Sequence, residues 1–498
     1  MKKLFKFTAV ISMLSTVATA TAPIMEAQEE NIVKIASTSE IDSLDAHKAA
    51  ATATGMILDQ IHDGLIDYNE KGEIIPSVAK SWEISEDGLT YTFKLVENAK
   101  FHNGKELKAS DVVASYGPLA GINDSEPLSS KWEIVDDVKA IDDYTVEITL
   151  KNVDSGFLAR TDSAIMPEGY DKQESHPVGV GPFKFVEWKQ GEKLVMEANK
   201  DFYNSEEAAK IDGAEWFLMK DSSTAALALQ TGEIDITTVS IEEKEMLGDD
   251  YNYVEGDMNM VTIFGLNQDF EPFKDAKVRQ AINHAINKEE IIDVVFDGNA
   301  TKLGTMFSPA MPVYYQEGLE DKWEFNPERA KELLKETGQE DLTFTIKAPS
   351  HAQMYSDLAQ VISDQLSKVG VTANIEMIEW TTWLEDVYTK FDHEATIIGL
   401  TGKIDPYDVL IRFKDGYKRN FINYNNEEYN EIMNKAIQEL DHEKEIEYYK
   451  EAQTILADDA SSVYLIDPYR VIATQKNITG LELFPQDRYN LNDIVIYE

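Results

Sequence analysis

The sequence contains no cysteine among its 498 residues. This absence excludes disulfide bonds, thiolate metal ligands and a cysteine nucleophile. It also excludes a lipid anchor carried by an N-terminal cysteine. Any retention of the protein at a membrane surface would therefore need contacts of another kind.

Positive charge is scarce as well. The chain has 46 lysine and arginine residues against 91 aspartate and glutamate residues, which gives a net charge of −45. Such a surface repels nucleic acid and anionic lipid, and no basic stripe along the sequence offsets it. We therefore expect no nucleic-acid partner. The 43% of hydrophobic residues still provide enough apolar side chains for a folded core.

Motifs of catalysis, metal binding and cofactor binding are also missing. The sequence has no His-Glu-x-x-His, no Gly-x-Ser-x-Gly, no phosphate-binding loop ending in Gly-Lys-Ser/Thr and no EF-hand loop. No two of its 8 histidines lie within one helical turn of each other. Gly179 and Gly181 resemble the start of a dinucleotide loop, but Pro182 and Phe183 follow where a helix should begin. We therefore expect a protein without catalysis, cofactor or bound metal, and a secreted hydrolase is the open alternative.

The N-terminal segment has the pattern of a signal peptide. Lys2, Lys3 and Lys6 precede the 16 uncharged residues Phe7–Ala22, and the small residues at 18–20 suit signal peptidase. This apolar run is too short and too rich in hydroxyl groups to span roughly 30 Å of hydrocarbon. We predict a signal peptide over residues 1–22, cleaved at about residues 20–27, and hence export to a periplasm or cell envelope without a lipid anchor.

Strand and helix patterns alternate along the rest of the chain. Tyr91–Leu95 and Thr145–Leu150 alternate in polarity and predict strands in the first half. In the second half we predict helices at 277–296, 328–337, 354–369, 427–440 and 444–456, and strands at 371–378 and 395–400. This order predicts an α/β domain, a sheet covered by helices, that follows a more β-rich part.

Five segments, in order along the chain, carry motifs of one protein family. The strongest is Pro76–Val113, PSVAKSWEISEDGLTYTFKLVENAKFHNGKELKASDVV, with its Trp, acidic-Gly turn, Tyr-x-Phe-x-Leu strand and Lys-Phe-x-x-Gly. The others are Val178–Tyr203, Ala226–Ile236, Arg279–Ala300 and Asn326–Gly338. Together they resemble the extracellular solute-binding proteins of family 5, the oligopeptide/dipeptide-binding type that serves peptide and nickel ABC transporters.

The resemblance implies a bilobed, periplasmic-binding-protein-like α/β fold with an additional β-rich insert. Two strands should cross between the lobes, near Val261–Asn267 and Val463–Thr474. The implied division has a first lobe at 30–72, 178–265 and 473–498, its β-rich insert at 73–177, and a second lobe at 266–472.

The same resemblance implies the substrate-binding component of an ABC importer. Such a protein captures short peptides between its lobes and delivers them to permease subunits in the membrane. It implies a monomer that needs no cofactor. A metal chelate, such as a nickel–amino-acid complex, is the alternative ligand; without a histidine cluster, that metal would arrive already chelated.

Ligand contacts are expected in the stretch Gly399–Asp408. Peptide binders of the family often hold the ligand's amino terminus with an Asp in a Gly-Trp-Thr-x-Asp stretch, and Lys403 stands at that Asp position. A lysine cannot pair with an ammonium group, but it can pair with a carboxylate or a phosphonate. Alternatively, Lys403 points to solvent and Asp405 binds the ligand. Thr401 and Tyr407, in the same stretch, are further candidates.

Three residues elsewhere complete the expected site. Trp380 and Trp383 follow a predicted second-lobe strand and could stack on a ligand, although one of them is expected to pack against the next helix. Arg160 lies where similar nickel-chelate binders have cationic clamps. The basic residues between Arg412 and Arg419 are expected to form a solvated loop.

Overall fold

The computed structural model describes residues 31–122 and 126–497, so the predicted signal peptide lies outside the described residues. The strands in these ranges are β1 (Ile32–Ser37), β2 (Ile66–Tyr68), β3 (Ile74–Pro76), β4 (Ala79–Ile84), β5 (Thr90–Leu95), β6 (Val135–Asp142), β7 (Thr145–Leu150), β8 (Phe183–Lys189), β9 (Lys193–Ala198), β10 (Gly213–Leu218), β11 (Ile236–Val239), β12 (Asn252–Asp257), β13 (Met260–Leu266), β14 (Ala300–Lys302), β15 (Thr343–Pro349), β16 (Thr372–Ile378), β17 (Ala395–Thr401), β18 (Val463–Thr474), β19 (Ile478–Thr479) and β20 (Val495–Ile496). The strands predicted at 91–95, 145–150, 371–378 and 395–400 are confirmed.

Most of the helices begin at a polar side chain that caps the first turn, and they bury apolar side chains on one face. They are α1 (Thr52–Leu58), α2 (Ala109–Ala120), α3 (Ser222–Thr231), α4 (Ile241–Leu247), α5 (Ala276–Ala285), α6 (Lys288–Phe296), α7 (Pro327–Glu336), α8 (Gln353–Ser367), α9 (Trp380–Asp386), α10 (Pro406–Leu410), α11 (Glu427–Ala436) and α12 (His442–Asp458). α7 begins where the sequence predicts, because the Asn326 side chain accepts a hydrogen bond from the Arg329 N–H and Pro327 fits the first turn.

The single helix predicted at 277–296 was wrong, because the segment forms two helices. α5 ends at Ala285 and α6 begins at Lys288. Asn287 separates them, since its side chain accepts a hydrogen bond from the Glu290 N–H and so caps α6. The apolar stripe continues across the break, with Ile286 and Ile291 both buried, and periodicity alone therefore conceals the cap.

One long mixed sheet runs through the molecule, and β18 is its central element. Its strand order is β16-β15-β17-β13-β18-β11-β1-β10-β9-β8, with β12 and β14 also paired to β18. The first half of β18 pairs with β13 and β14, for example Val463 with Phe264. The second half pairs with β11 and β12, for example Val471 with Val239. β18 therefore connects the two halves of the sheet.

Separate hydrophobic cores lie on the two sides of β18. One core is formed by buried residues between Val261 and Ile466, and we call this part of the chain the second lobe. The first lobe packs around residues from Val33 to Ile236 and from Ile472 to Ile494, together with α3 and α4. A further core between Leu65 and Val180 belongs to the four-stranded sheet β4-β5-β7-β6, which we call the insert. The exact lobe boundaries given by the sequence stay a prediction.

Two connections join the lobes, as the resemblance implies. β18 crosses as one continuous strand over Val463–Thr474. The other crossing lies at Met258–Asn259, slightly before the predicted Val261–Asn267, because β13 pairs along its whole length with second-lobe strand β17. Asn259 adopts a φ of 54°, and its side chain donates to the Pro485 carbonyl at 3.0 Å. These short connections are the hinge of the molecule.

Candidate functional site

Two cavities lie side by side between the lobes. One, of about 410 Å³, has nine charged side chains among its lining residues, and we call it the polar chamber. The other, of about 550 Å³, is lined mostly by apolar atoms, including those of Trp82, Ile84 and Tyr314, and we call it the apolar chamber. Its lining also includes four acidic or histidine side chains that lie outside the polar chamber, Glu73, Glu439, His442 and Glu445. Both chambers share Ala159, Ile404 and Asp405. Their volumes fall in the range of about 300–1,000 Å³ usual for small-molecule sites.

The end of β17 brings the stretch Thr401–Asp405 into the cleft. Thr401 pairs with Met260 at the start of β13, directly beside the hinge. Gly402 packs so closely on Asn259 that a Cβ atom there would lie 2.0 Å from the Asn259 side-chain oxygen. The chain then turns into α10, which the Asp405 side chain caps by accepting the Tyr407 N–H at 2.9 Å.

Asp405 lies at the junction of the two chambers. It is 7% exposed, and its Oδ2 accepts no hydrogen bond within the described part of the chain. Burial raises the pKa of Asp405 to about 7; Asp408 adds to this rise and Arg160 opposes it. Gly156 of the insert faces this carboxylate, and a Cβ atom there would lie 2.3 Å from Oδ2. The lobes therefore meet closely at Gly156 and Asp405.

Arg160 forms its shortest ion pair inside the insert. Its Nη1 donates to Asp154 Oδ2 at 2.7 Å and to the Lys131 carbonyl at 3.2 Å. Its Nη2 lies 3.8 Å from Asp405 Oδ2. The arginine lines the polar chamber, but its charge is already matched by two carboxylates.

Lys403 lines the polar chamber from the second lobe and is exposed there. Among residues 31–122 and 126–497, its ammonium group has no hydrogen bond or ion pair. Its pKa is lowered, first by desolvation and then by the nearby Arg412 and Lys131, while Asp408 opposes the change. The positive charge of Lys403 thus faces the chamber unmatched.

The first lobe contributes two carboxyl groups, Asp59 and Asp162. Asp59 ends α1, and Asp162 ends the 3-10 segment Ser155–Asp162. Neither side chain has a hydrogen bond or ion pair to any described residue, and both are exposed to the chamber. Although solvent reaches both side chains from the chamber, desolvation by the surrounding protein raises the pKa of Asp59 to about 6 and that of Asp162 to about 7. Repulsion from Asp67 adds to both rises.

Comparisons with known proteins agree on one family. The family model for "Bacterial extracellular solute-binding proteins, family 5 Middle" matches residues 73–421. The chain belongs to the bacterial extracellular solute-binding proteins of family 5. In the part of this family 5 protein that the structure describes, no helix has the length and apolar character needed to cross a bilayer.

Its relatives and structural neighbours carry names of peptide and solute binders. It is 29% identical to the oligopeptide-binding protein AppA of Bacillus subtilis over 87% of this chain and 86% of the relative. It is 27% identical to the glutathione-binding protein GsiB of Pectobacterium atrosepticum, over 97% of each chain. The solved structure of DppA from Helicobacter pylori, in complex with the peptide STSA, has a TM-score of 0.74 at 27% identity, covering 94% of this chain and 98% of that one. The predicted bilobed α/β fold is thereby confirmed.

The tryptophan pair of this family 5 protein lies away from both chambers. Trp380 and Trp383 stack on each other with ring centroids 5.2 Å apart and planes at 4°. Trp383 is buried, and its indole N–H donates to Thr396 Oγ1 at 2.9 Å. Trp380 is 38% exposed and lines neither chamber. The half-buried Tyr407 packs against the second-lobe core. The structure therefore brings together Thr401, Lys403, Asp405 and Arg160 of the predicted set.

Sequence reasoning missed Asp59, Asp162 and Lys131. Lys131 Nζ lies 2.7 Å from Asp408 Oδ2, an ion pair between the insert and the second lobe. No local motif marks these residues, because 91 acidic side chains make any carboxylate pair unremarkable in the sequence. The family resemblance concentrated attention on the second-lobe stretch. Predicting these first-lobe residues from the sequence would have required knowledge of which loops meet across the cleft.

Proposed function

We propose that this protein is the solute receptor of an ABC importer and captures short peptides between its two lobes. The observation that carries the proposal is the pair of adjoining chambers, one rich in charge and one mostly apolar, that lie where the lobes meet. A peptide has charged ends, backbone amides and apolar side chains, and the two chambers offer matching groups for each. Sites of this kind combine an apolar lining with a few placed polar groups.

The names of the relatives support peptides as the ligand class. AppA is an oligopeptide-binding protein, and the DppA structure holds a tetrapeptide. Both match more than four fifths of this chain, so the resemblance extends over both lobes and the cleft. We therefore assign this chain a peptide ligand and no catalytic activity.

Closure of the lobes is the step that delivers the ligand. Ser155 of the insert donates its N–H to the Ile437 carbonyl at 2.9 Å and its Oγ to the Ala436 carbonyl at 3.1 Å. The Lys131–Asp408 ion pair joins the same two parts at 2.7 Å. A ligand that contacts both walls adds to these bonds and increases the closed population. Membrane permease subunits would then bind the closed, loaded form.

The proposed site of action is outside the cytoplasmic membrane. A signal peptide at residues 1–22, removed by ordinary peptidase at about residues 20–27, would export the chain as a monomer. The lack of cysteine supports a mature protein without an attached lipid. Such a protein would act in a periplasm or be held in the cell envelope by non-covalent contacts.

Thermal denaturation in the presence of candidate ligands tests the proposal. We expect short peptides to raise the melting temperature, because a ligand at about 100 to 1,000 times its Kd stabilises by roughly 3–4 kcal/mol. Nickel with histidine serves as the metal-chelate arm. Stabilisation by nickel and histidine without any response to peptides would contradict the peptide assignment. Shortening of the peptides during incubation would instead indicate a hydrolase.

A further inference from the structure

The charged groups of the polar chamber are not all matched. Nine charged side chains line it, and six of them take part in ion pairs to other described residues. The paired groups are Lys131 with Asp408, Arg160 with Asp154 and Asp405, and Arg470 with Asp487. The three that have no ion pair are Asp59, Asp162 and Lys403. These three are the charges left for a ligand to neutralise.

The unmatched charges are separated by sign and by lobe. Asp59 and Asp162 belong to the first lobe and its insert, whereas Lys403 belongs to the second lobe. Lys131 lowers the pKa of Asp162 and also that of Lys403, so its charge is felt by both groups. Because Lys131 is itself paired with Asp408, its charge is not free to neutralise Asp162, and it repels Lys403. The unmatched negative charges of the chamber thus come from the first lobe and its insert, and the unmatched positive charge comes from the second lobe.

An ionised side chain without an ion pair loses hydration free energy when protein atoms surround it. The walls of the cleft partly desolvate Asp59 and Asp162, although both are exposed to the chamber, and this desolvation is the main reason that their pKa values rise. A ligand charge of opposite sign recovers that desolvation free energy through charge-assisted hydrogen bonds. A ligand charge of the same sign as the side chain that it faces would instead be repelled.

Asp405 supplies a further group that lacks a hydrogen bond. Its Oδ2 accepts none within the described residues, although the side chain is more than nine-tenths buried at the junction of the chambers. A ligand that extends from the polar into the apolar chamber passes this oxygen. An N–H group on such a ligand would provide the missing donor.

We propose that the ligand is a zwitterionic peptide whose ammonium group binds Asp59 and Asp162 and whose carboxylate binds Lys403. This inference rests on the proposed function and adds the orientation of the ligand. Its apolar side chains then occupy the neighbouring apolar chamber. The reverse orientation would place an ammonium group beside Lys403 and a carboxylate beside two aspartates.

Capped peptides test the two ends separately. The probes are Ala-Leu-Ala with free ends, the same peptide N-acetylated, and the same peptide C-amidated, titrated calorimetrically into the full mature chain. We expect each cap to weaken binding to the wild-type protein by on the order of tenfold. In the D59N/D162N variant the acetyl group should cost no affinity, while the amide penalty persists. In K403M the amide should cost no affinity, while the acetyl penalty persists.

Matched variants separate these effects from general loss of charge. Asp249→Asn and Lys418→Met remove exposed charges that line neither chamber, and both should retain both penalties. Melting curves verify folding of all variants. Unchanged acetyl and amide penalties in D59N/D162N and K403M, or exchange of the two penalties between these variants, would overturn the orientation while leaving the peptide function intact. Failure of all three peptides, and of a mixed library of two- to five-residue peptides, to bind the wild-type protein would instead overturn the proposed function itself.

Discussion

The two chambers of the cleft differ in what they can recognise. The polar chamber presents separate charges of both signs, Asp59 and Asp162 on one wall and Lys403 on the other. The apolar chamber presents ring and aliphatic surface from Trp82, Tyr314 and their neighbours. Charges fix orientation because a wrong sign repels, whereas apolar surface accepts many shapes in proportion to the area buried. Orientation and tolerance to side-chain identity therefore arise in different parts of one site.

The largest effect should come from blocking the junction that both chambers share. Gly156→Leu would drive a side chain into Asp405, since even a Cβ atom at residue 156 lies 2.3 Å from Oδ2. We expect the lobes to stay apart and peptide affinity to fall on the order of 100-fold, or about 2.7 kcal/mol. Calorimetry measures the affinity, and small-angle X-ray scattering measures the separation of the lobes.

Gly117→Ala is the matched control, because nothing lies within 4 Å of a Cβ atom at that helical position. It should bind like the wild-type protein. Wild-type affinity in the Gly156→Leu variant would contradict closure at this junction.

Acidification should lower the affinity of the polar chamber for peptides with a free ammonium group. Desolvation raises the pKa of Asp59 to about 6 and that of Asp162 to about 7, with Arg488 opposing both rises and Lys131 opposing the second. Below these values a ligand ammonium group must displace protons, so affinity should fall by up to about tenfold per pH unit. Calorimetry at about pH 7.5 and about pH 5.5 checks this. N-acetylated peptide should show a much smaller dependence, and equal slopes for both peptides would contradict the assignment.

The unliganded protein should respond to pH in the opposite direction. Both folded-state pKa values exceed the ordinary 3.8 of an aspartate, so between about pH 4 and 7 the folded chain binds more protons than the unfolded chain. These two groups therefore lower the free energy of unfolding as the pH rises through that window. The D59N/D162N variant should gain stability over the wild type as the pH rises from about 5 to about 7, as measured by denaturant titration. A relative loss of stability would contradict the raised pKa values.

Removing an aromatic side chain from the apolar chamber should change which peptide side chains the protein prefers. Trp82 is half-buried on β4 and lines this chamber. Trp82→Ala removes apolar contact area, and we expect about tenfold weaker binding of leucine-containing peptides, or about 1.4 kcal/mol. Binding of an all-alanine peptide is the internal control and should change far less. An equal loss for both peptides would indicate damage to the insert rather than to the chamber.

A smaller effect is expected from the ion pair that joins the lobes. Lys131 and Asp408 are 2.7 Å apart, with side chains 56% and 25% exposed, so solvent screens their attraction. Lys131→Met should reduce peptide affinity by only about two- to fivefold, and less at high salt. Lys139→Met breaks a pair of similar exposure inside the insert, Lys139 with Asp137, and should leave affinity unchanged. Equal losses in the two variants would contradict a role in closure.

The smallest effect should come from Trp380. This residue stacks on Trp383 and lines neither chamber, so Trp380→Ala should change peptide affinity by less than about twofold. Calorimetry with the same peptides measures it. A tenfold loss would mean that the ligand extends beyond the two chambers.

Local sequence signals predicted much of the fold and one wall of the site. Alternation located β5 and β7, and Asn326-Pro327 located the start of α7. The family motifs implied the crossing strand β18 and directed attention to Lys403 and Asp405. Each of these features is determined by residues close together in the sequence or by a family motif, so it can be recognised without the structure.

The remaining features depend on contacts that only the folded chain makes. Asn287 breaks a helix whose apolar stripe continues through it. Asp59 and Asp162 are brought to one wall by two different elements, far apart in the chain. Trp380 and Trp383 were expected to stack on a ligand because they follow a strand; the structure stacks the two rings on each other, outside the lining of both chambers, and their contact with a ligand stays a prediction.

Native mass spectrometry of the protein, purified from its source without denaturation, tests the central claim most directly. The account predicts that the wild-type chain retains masses of short peptides that dissociate on unfolding, and that the Gly156→Leu variant retains none. A retained metal chelate in place of peptides, or the same peptides retained by the Gly156→Leu variant, would contradict capture of peptides by closure of the two lobes.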